Sequence, residues 1–175
     1  TRLMQRHVTL MQRVQMEAGS VQRLLTECLI PPAVDTVVLL IALSYLYNYT
    51  HREDYLNHSL ALARAVEYQY QKNLPSAKNY RDFRGGYYDP PRSTPVATRG
   101  EGLVAVLDTC SIAGKRCEWI EELLHETVRF EMLCQYDPDT TYWMKNKSKT
   151  FGGWGGGIIH PSIRNDFVQH NMSSI

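Results

Sequence analysis

No charge of either sign dominates this sequence of 175 residues: nineteen Lys and Arg face eighteen Asp and Glu, for a net charge of +1. The chain lacks the basic surplus and the basic stripe that bind phosphate backbones, so no nucleic-acid partner is expected. Long apolar runs are missing too. The longest, Val37 to Tyr47 with Ser44 inside it, falls far short of the roughly 20 residues a bilayer span needs. It reads as a buried helix, and a soluble protein without a membrane partner is expected. Motifs with a fixed chemistry are equally scarce. The six histidines show no H-x-x-x-H or H-E-x-x-H spacing, so no metal site is expected. The glycine run from Gly152 to Gly157 lacks the G-x-x-x-x-G-K-[S/T] order, and no strand is expected before it, which excludes a phosphate loop. There is no nucleophile elbow and no Cys/His layout of a thiol protease. No cofactor is expected.

Cysteine is sparse: Cys28, Cys110, Cys117 and Cys134, with no C-x-x-C pair. Cys110 and Cys117 flank a turn at Ala113-Gly114-Lys115. Small apolar thiols suit helix cores, so the four are expected to be free and buried, with a disulfide or metal site as the alternative. Unpaired thiols slightly favour a cytoplasmic protein. Sequons at Asn48, Asn57, Asn146 and Asn171 are weak signals for secretion in a chain rich in Asn, Ser and Thr. The chain begins at Thr1 without Met, so an N-terminal segment is expected to have been removed or left out.

What is present is helical periodicity. Apolar residues make up 43%, enough for one folded domain over 1–175. Leu3, Leu10, Met11, Val14, Val21, Leu24, Leu25 and Cys28 recur at three- and four-residue steps, predicting a helix over 2–29. Gly19-Ser20 is expected to break or kink it, and Pro31-Pro32 to stop it. A second helix is expected over 33–49, apolar nearly all round and therefore central. An amphipathic helix over 53–72 completes a hairpin. The segment 73–95, with four prolines, Gly85-Gly86 and interspersed tyrosines, reads as a long structured loop. Helices over 96–113, capped by Gly114, and over 117–135 form the next hairpin. A second long loop over 136–160 leads to a last helix starting near Pro161 or Ser162.

Four features recur in one order. Gln69-Tyr70 and Gln135-Tyr136 lie 66 residues apart, Gly85-Gly86 and Gly152-Gly153 67, Pro95 and Pro161 66, and Arg99-Gly100-Glu101 and Arg164-Asn165-Asp166 65. An earlier degenerate copy is expected from Pro32. The implied unit is helix, short turn, helix, long glycine-bearing loop, and such units stack because one hairpin cannot bury its own inner face. The fold class is therefore all-α, with repeated antiparallel hairpins and the long loops at one end.

Helical hairpins joined by long Gly- and aromatic-rich loops resemble the α/α-toroid proteins: six-hairpin glycosidases, polysaccharide lyases, sugar epimerases and terpenoid-cyclase-like toroids. The likeness rests on Gly85-Gly86-Tyr87-Tyr88-Asp89-Pro90, on Thr94 to Leu103, and on Ile163 to His170, and spans about residues 33–175 at the level of architecture. It implies part or all of an α/α toroid with a ligand site at the loop end. Complete toroids of this kind need about twice this length, so a fragment, a half-toroid or a homodimer that completes the core is expected. No D-D-x-x-D cluster is present to favour an isoprenoid ligand.

The candidate catalytic residues are Glu101, Asp166 and His170. A half-buried carboxylate can serve as general acid or base, and His170, four residues after Asp166, shares its helix face. Both could equally be structural: carboxylates favour helix N-termini, and the recurrence of Arg-x-acid suits a scaffold role. Arg99 and Arg164 offer forked donors for a substrate carboxylate. Tyr87, Tyr88 and Trp154 could stack on sugar rings, with Asp89 and Gln169 as polar neighbours, or plug the end of the core. Tyr80, Tyr142, Trp143 and Phe151 extend the same aromatic set. The expected function is a carbohydrate-active protein that binds a saccharide at the loop end and carries out hydrolysis, elimination or epimerisation. The alternative is a non-catalytic helical-repeat protein that binds a partner or oligomerises.

Overall fold

Among residues 33–175 the short turns lie together at one end of the helices and the described parts of the long loops at the other. The structure, a computed structural model, describes residues 33–72 and 80–175. The helix expected over 2–29, its break, its proline stop, Cys28, the start of a degenerate repeat at Pro32 and the segment around Pro75 lie outside them. Within the unit Ala33–Ile175 the described residues form six helices, α1 (Ala33–Thr50), α2 (Glu53–Lys72), α3 (Ser93–Ile112), α4 (Glu118–Leu133), α5 (Lys147–Thr150) and α6 (Asn165–Ser174). To these they add a single turn of 3-10 helix at Arg81–Phe83 and two short strands, β1 (Gly155–Gly157) and β2 (His160–Ile163). None of these helices is long and apolar enough to cross a membrane.

Local chemistry sets the ends. His51 turns left-handed at φ 53°, its N–H reaching Tyr47 O at 2.7 Å, and so closes α1. At the end of α3, Gly114 adopts φ 65°; its N–H binds Ser111 O, and that of Lys115 binds Cys110 O at 2.8 Å. This is the paired closure in which a left-handed residue lets its own amide and the next one satisfy the last carbonyls. α3 begins three residues before the expected 96, because Pro95 falls within the first turn, where a missing N–H loses no helical bond.

α3 is the hub and packs against α1, α2, α4 and α6. Two glycines admit its neighbours. A Cβ on Gly102 would meet Leu40 of α1 at 3.0 Å, and one on Gly100 would meet Ser174 of α6 at 3.0 Å. Glycine in a helix interior costs roughly 1 kcal/mol against alanine, so both positions favour close approach over helix propensity. Lys115 Nζ reaches Glu53 at 3.0 Å, placing the α3–α4 turn beside the α1–α2 turn. Hence α1 and α3 run in the same direction. At the opposite end Ser93 donates its hydroxyl to Gly155 O at 2.6 Å, and Gly157 lies against the Pro91 carbonyl. The core between the helices is Leu40, Leu56, Val66, Val96, Leu103, Val106, Ile120 and Phe130, each with no exposed surface.

Several expectations are corrected. Pro161 and Ser162 do not open a helix: they lie in β2, which pairs antiparallel with β1 in the register Gly155 to Ile163 and Gly157 to His160. Three glycines give no strand propensity, so the ladder was invisible to pattern; it forms because their bare backbone fits between Pro91 and β2. Pro95 and Pro161 therefore occupy unlike sites. α1 is not central all round, since Val38, Tyr45 and Tyr49 are 62%, 71% and 76% exposed. Cys110 and Cys117 are not free thiols but form a disulfide across the α3–α4 turn, which removes the ground for favouring a cytoplasmic protein. Cys134 is free and buried.

Candidate functional site

Thr94, Thr98, Glu101, Ala105 and Asp108 recur at four- and three-residue steps along α3 and so share one face. Glu101 sits in the middle of it, with its side chain 18% exposed. Its two carboxylate oxygens lie 3.2 and 3.3 Å from His170 Nδ1 of α6. Ser173, one turn on, donates its hydroxyl to the same carboxylate. In the tautomer that carries its hydrogen on Nδ1 and donates it to Glu101, the ring's lone pair is on Nε2.

Below this pair, a groove of about 220 Å³ runs between α1 and α3 and is lined by Ser44, Tyr45, Asn48, Glu101 and Asp108. Ser44 Oγ and Asn48 Oδ1 are buried there without a hydrogen-bond partner, although buried polar atoms are nearly always paired. Tyr45 presents an exposed aromatic ring beside them. None of these three was among the residues expected to bind, since pattern alone places them on an apolar helix. Above Glu101, on the same face of α3, a cleft of about 420 Å³ is lined by Tyr88, Asp89, Arg92, Thr94 and Thr98 together with prolines 90 and 95.

Glu131 of α4 is the site's hidden member. It has no exposed surface, receives the Ser174 hydroxyl on one oxygen, and has no partner for the other. Burial pushes its carboxyl up to about 7, the Ser174 hydrogen bond works against that rise, and the charge of Glu101 adds to it. The signal was present in the sequence: Ile120, Leu124, Thr127, Glu131 and Cys134 share the inner face of α4, and an acid among them is out of place. Burial, with the Glu131 charge nearby, raises the Cys134 thiol to about 12, so it is no nucleophile at neutral pH.

The other expected site residues separate from this pair. Asp166 engages Arg164 through both oxygens at 2.9 Å, on the surface. Gln169 is exposed on α6. Tyr87 has no exposed surface; its hydroxyl bonds Thr127 at 3.1 Å, and burial drives its phenol well above the ordinary value. Trp154 is buried and donates Nε1–H to Glu131 O at 3.1 Å. Both are core plugs and cannot stack on a ligand. Arg99, only 2% exposed, donates to Pro95 O at 2.7 Å, Gln69 Oε1 at 3.0 Å and the Tyr88 hydroxyl at 2.8 Å. The aromatic surface is supplied instead by Tyr142 and Trp143, 71% and 60% exposed, beside a cleft of about 430 Å³ that Asp139 and Thr140 also line. No group of three His, Cys, Asp or Glu able to hold a metal occurs among the described residues.

Comparison with family models, curated proteins and solved structures finds no match to this chain.

Proposed function

We propose that the protein is carbohydrate-active and binds a saccharide along the polar face of α3, with Glu101 and His170 as its acid–base pair. The observation that carries this reading is the Glu101–His170 contact at 3.2 Å, made between two helices from side chains 69 residues apart and partly open to solvent. Glu101 orients the imidazole, and His170 Nε2 takes or returns the proton in hydrolysis, elimination or epimerisation. Tyr45 offers a ring for a sugar face, and Ser44 and Asn48 offer unpaired atoms for its hydroxyls. Asp166 is less well placed, because Arg164 holds it.

An α/α-toroid architecture is the natural frame for this site. Its support is that α1 and α3 run parallel in contact. α6 in turn leaves the loop end, where Phe167 meets Gly156, and lies along α3 as far as Gly100 and Glu101. The test is turnover of oligosaccharides by variants with unchanged helix content. Glu101→Gln and His170→Ala are each expected to lose roughly 10²- to 10⁴-fold in rate. Full activity in both removes the acid–base assignment.

The exposed row of Val38, Tyr45 and Tyr49 on α1 favours a second reading, a helical-repeat module that buries this face against another copy of itself. A dimeric mass in solution that reverts to monomer in Tyr49→Glu, with no thermal shift from any sugar, would support it over the first.

A further inference from the structure

The geometry points to a carboxylate subsite in the cleft lined by Tyr88, Arg92, Thr94 and Thr98, which makes the ligand an acidic saccharide rather than a neutral one. This deepens the carbohydrate reading and rests on it.

The starting point is Arg99. It is a guanidinium with 2% of its surface exposed, and among the described residues no carboxylate lies within 4 Å of it. All three of its acceptors are neutral, the Pro95 carbonyl, the Gln69 amide oxygen and the Tyr88 hydroxyl, and its Nε has no partner. The Tyr87 and Tyr88 rings lie 5.1 and 4.8 Å from its carbon centre, which spreads the charge without neutralising it. A buried cation without a counterion is costly, and an anion brought close to it recovers part of that cost.

Two of its three acceptors, Tyr88 and Pro95, form the wall of the cleft. The Tyr88 oxygen accepts from Arg99 and keeps its own hydrogen to donate, so it can pass the polarisation of the guanidinium to a ligand in the cleft. Thr94 Oγ1, also on the wall, is buried and unpartnered. Arg92 adds a direct positive charge at the rim. Asp89 lines the same cleft and opposes an anion; Arg92 offsets it, leaving the Arg99 charge in surplus. The position fits the chemistry proposed below it. Thr98 is three residues before Glu101 on the same face of α3, so a carboxylate held at the top places the rest of a sugar toward the Glu101–His170 pair.

Calorimetric titration of the intact protein with glucuronate, glucose and acetate tests the inference. Glucuronate is expected to bind at least tenfold more tightly than either of the others. Arg92→Gln and Tyr88→Phe are each expected to cut that preference at least threefold. Arg92 lies on the surface, so its variant reports even if Tyr88→Phe fails to fold. Equal binding of glucose and glucuronate overturns the subsite and leaves the carbohydrate reading standing. Acetate binding as tightly as glucuronate overturns the acidic saccharide as ligand. A preference unmoved by Arg92→Gln places the carboxylate elsewhere and overturns the subsite. If no sugar binds, the subsite falls together with the reading it rests on.

Discussion

Arg99-Gly100-Glu101 and Arg164-Asn165-Asp166 are alike in sequence and opposite in fate. In the first, the arginine turns inward to the Tyr87 and Tyr88 rings, and the acid turns to His170 on another helix. In the second, both side chains stay on the surface and close on one another, at 65% and 39% exposure. The difference follows from what surrounds each. Arg99 is the seventh residue of α3, inside the hub helix. Arg164 precedes the first residue of α6 and is only its N-cap. Only in the second does the acid sit at a helix start with a cation to balance it, and packing gives the first its distant partners instead.

The paired glycines give the sharpest way to break this contrast. Gly85 and Gly152 both lie at positive φ, 100° and 79°. A Cβ on Gly85 would overlap the Glu126 carbonyl oxygen, in the backbone of α4, whereas one on Gly152 meets nothing within 4 Å. Gly85→Ala is expected to lose about 4 kcal/mol or not to fold, and Gly152→Ala only the roughly 1 kcal/mol of a left-handed alanine. Urea denaturation of both checks this, and equal losses would mean the two loops are built alike after all. The arginines come next in size. Arg99→Leu strands the Gln69, Tyr88 and Pro95 acceptors and is expected to cost about 3 kcal/mol, against less than about 0.5 for Arg164→Ala. A comparable loss from Arg164→Ala would show that its ion pair holds α6 in place.

The main helices were legible because their apolar spacing is long and regular, and because Gly114 and the X-Pro steps punctuate it. The start of α6 was not, since β2 draws Pro161 and Ser162 into a pairing with glycines that carry no side-chain signal. Of the candidate site, Glu101 and His170 could be nominated separately from helix position. Their meeting could not, because it depends on Gly100 letting α6 approach α3. Tyr87 and Trp154 misled because sequence does not distinguish an aromatic that plugs a core from one that faces solvent. The disulfide was missed because two cysteines seven apart across a turn pack equally well as thiols, and only the facing helix ends bring them together.

A pH-dependent effect concerns the carboxylate buried between α4 and the end of α6. Glu131 is held under the last turn of α6 by Ser174 and lies within the field of Glu101 of α3, so it reports on the packing of α6 against α4. Its carboxyl is raised by burial from 4.5 to about 7. Below pH 4.5 the acid is protonated both folded and unfolded and imposes no penalty. Between about 4.5 and 7 the unfolded chain releases the proton while the folded one keeps it, so stability falls as pH rises; above 7 the full penalty remains. Glu131→Gln keeps an acceptor for Ser174 and removes the charge. Each tenfold change in proton affinity on folding is worth roughly 1.4 kcal/mol, so the variant is expected to stabilise the protein by at most about 3.5 kcal/mol at pH 8 and by almost nothing at pH 4. Asp166→Asn, on the exposed copy, is expected to change stability by less than about 0.5 kcal/mol at pH 8. Thermal unfolding at the two pH values decides the matter: a gain from Glu131→Gln that is the same at pH 4 and pH 8 would mean the side chain is solvated, and the seam between α4 and α6 open.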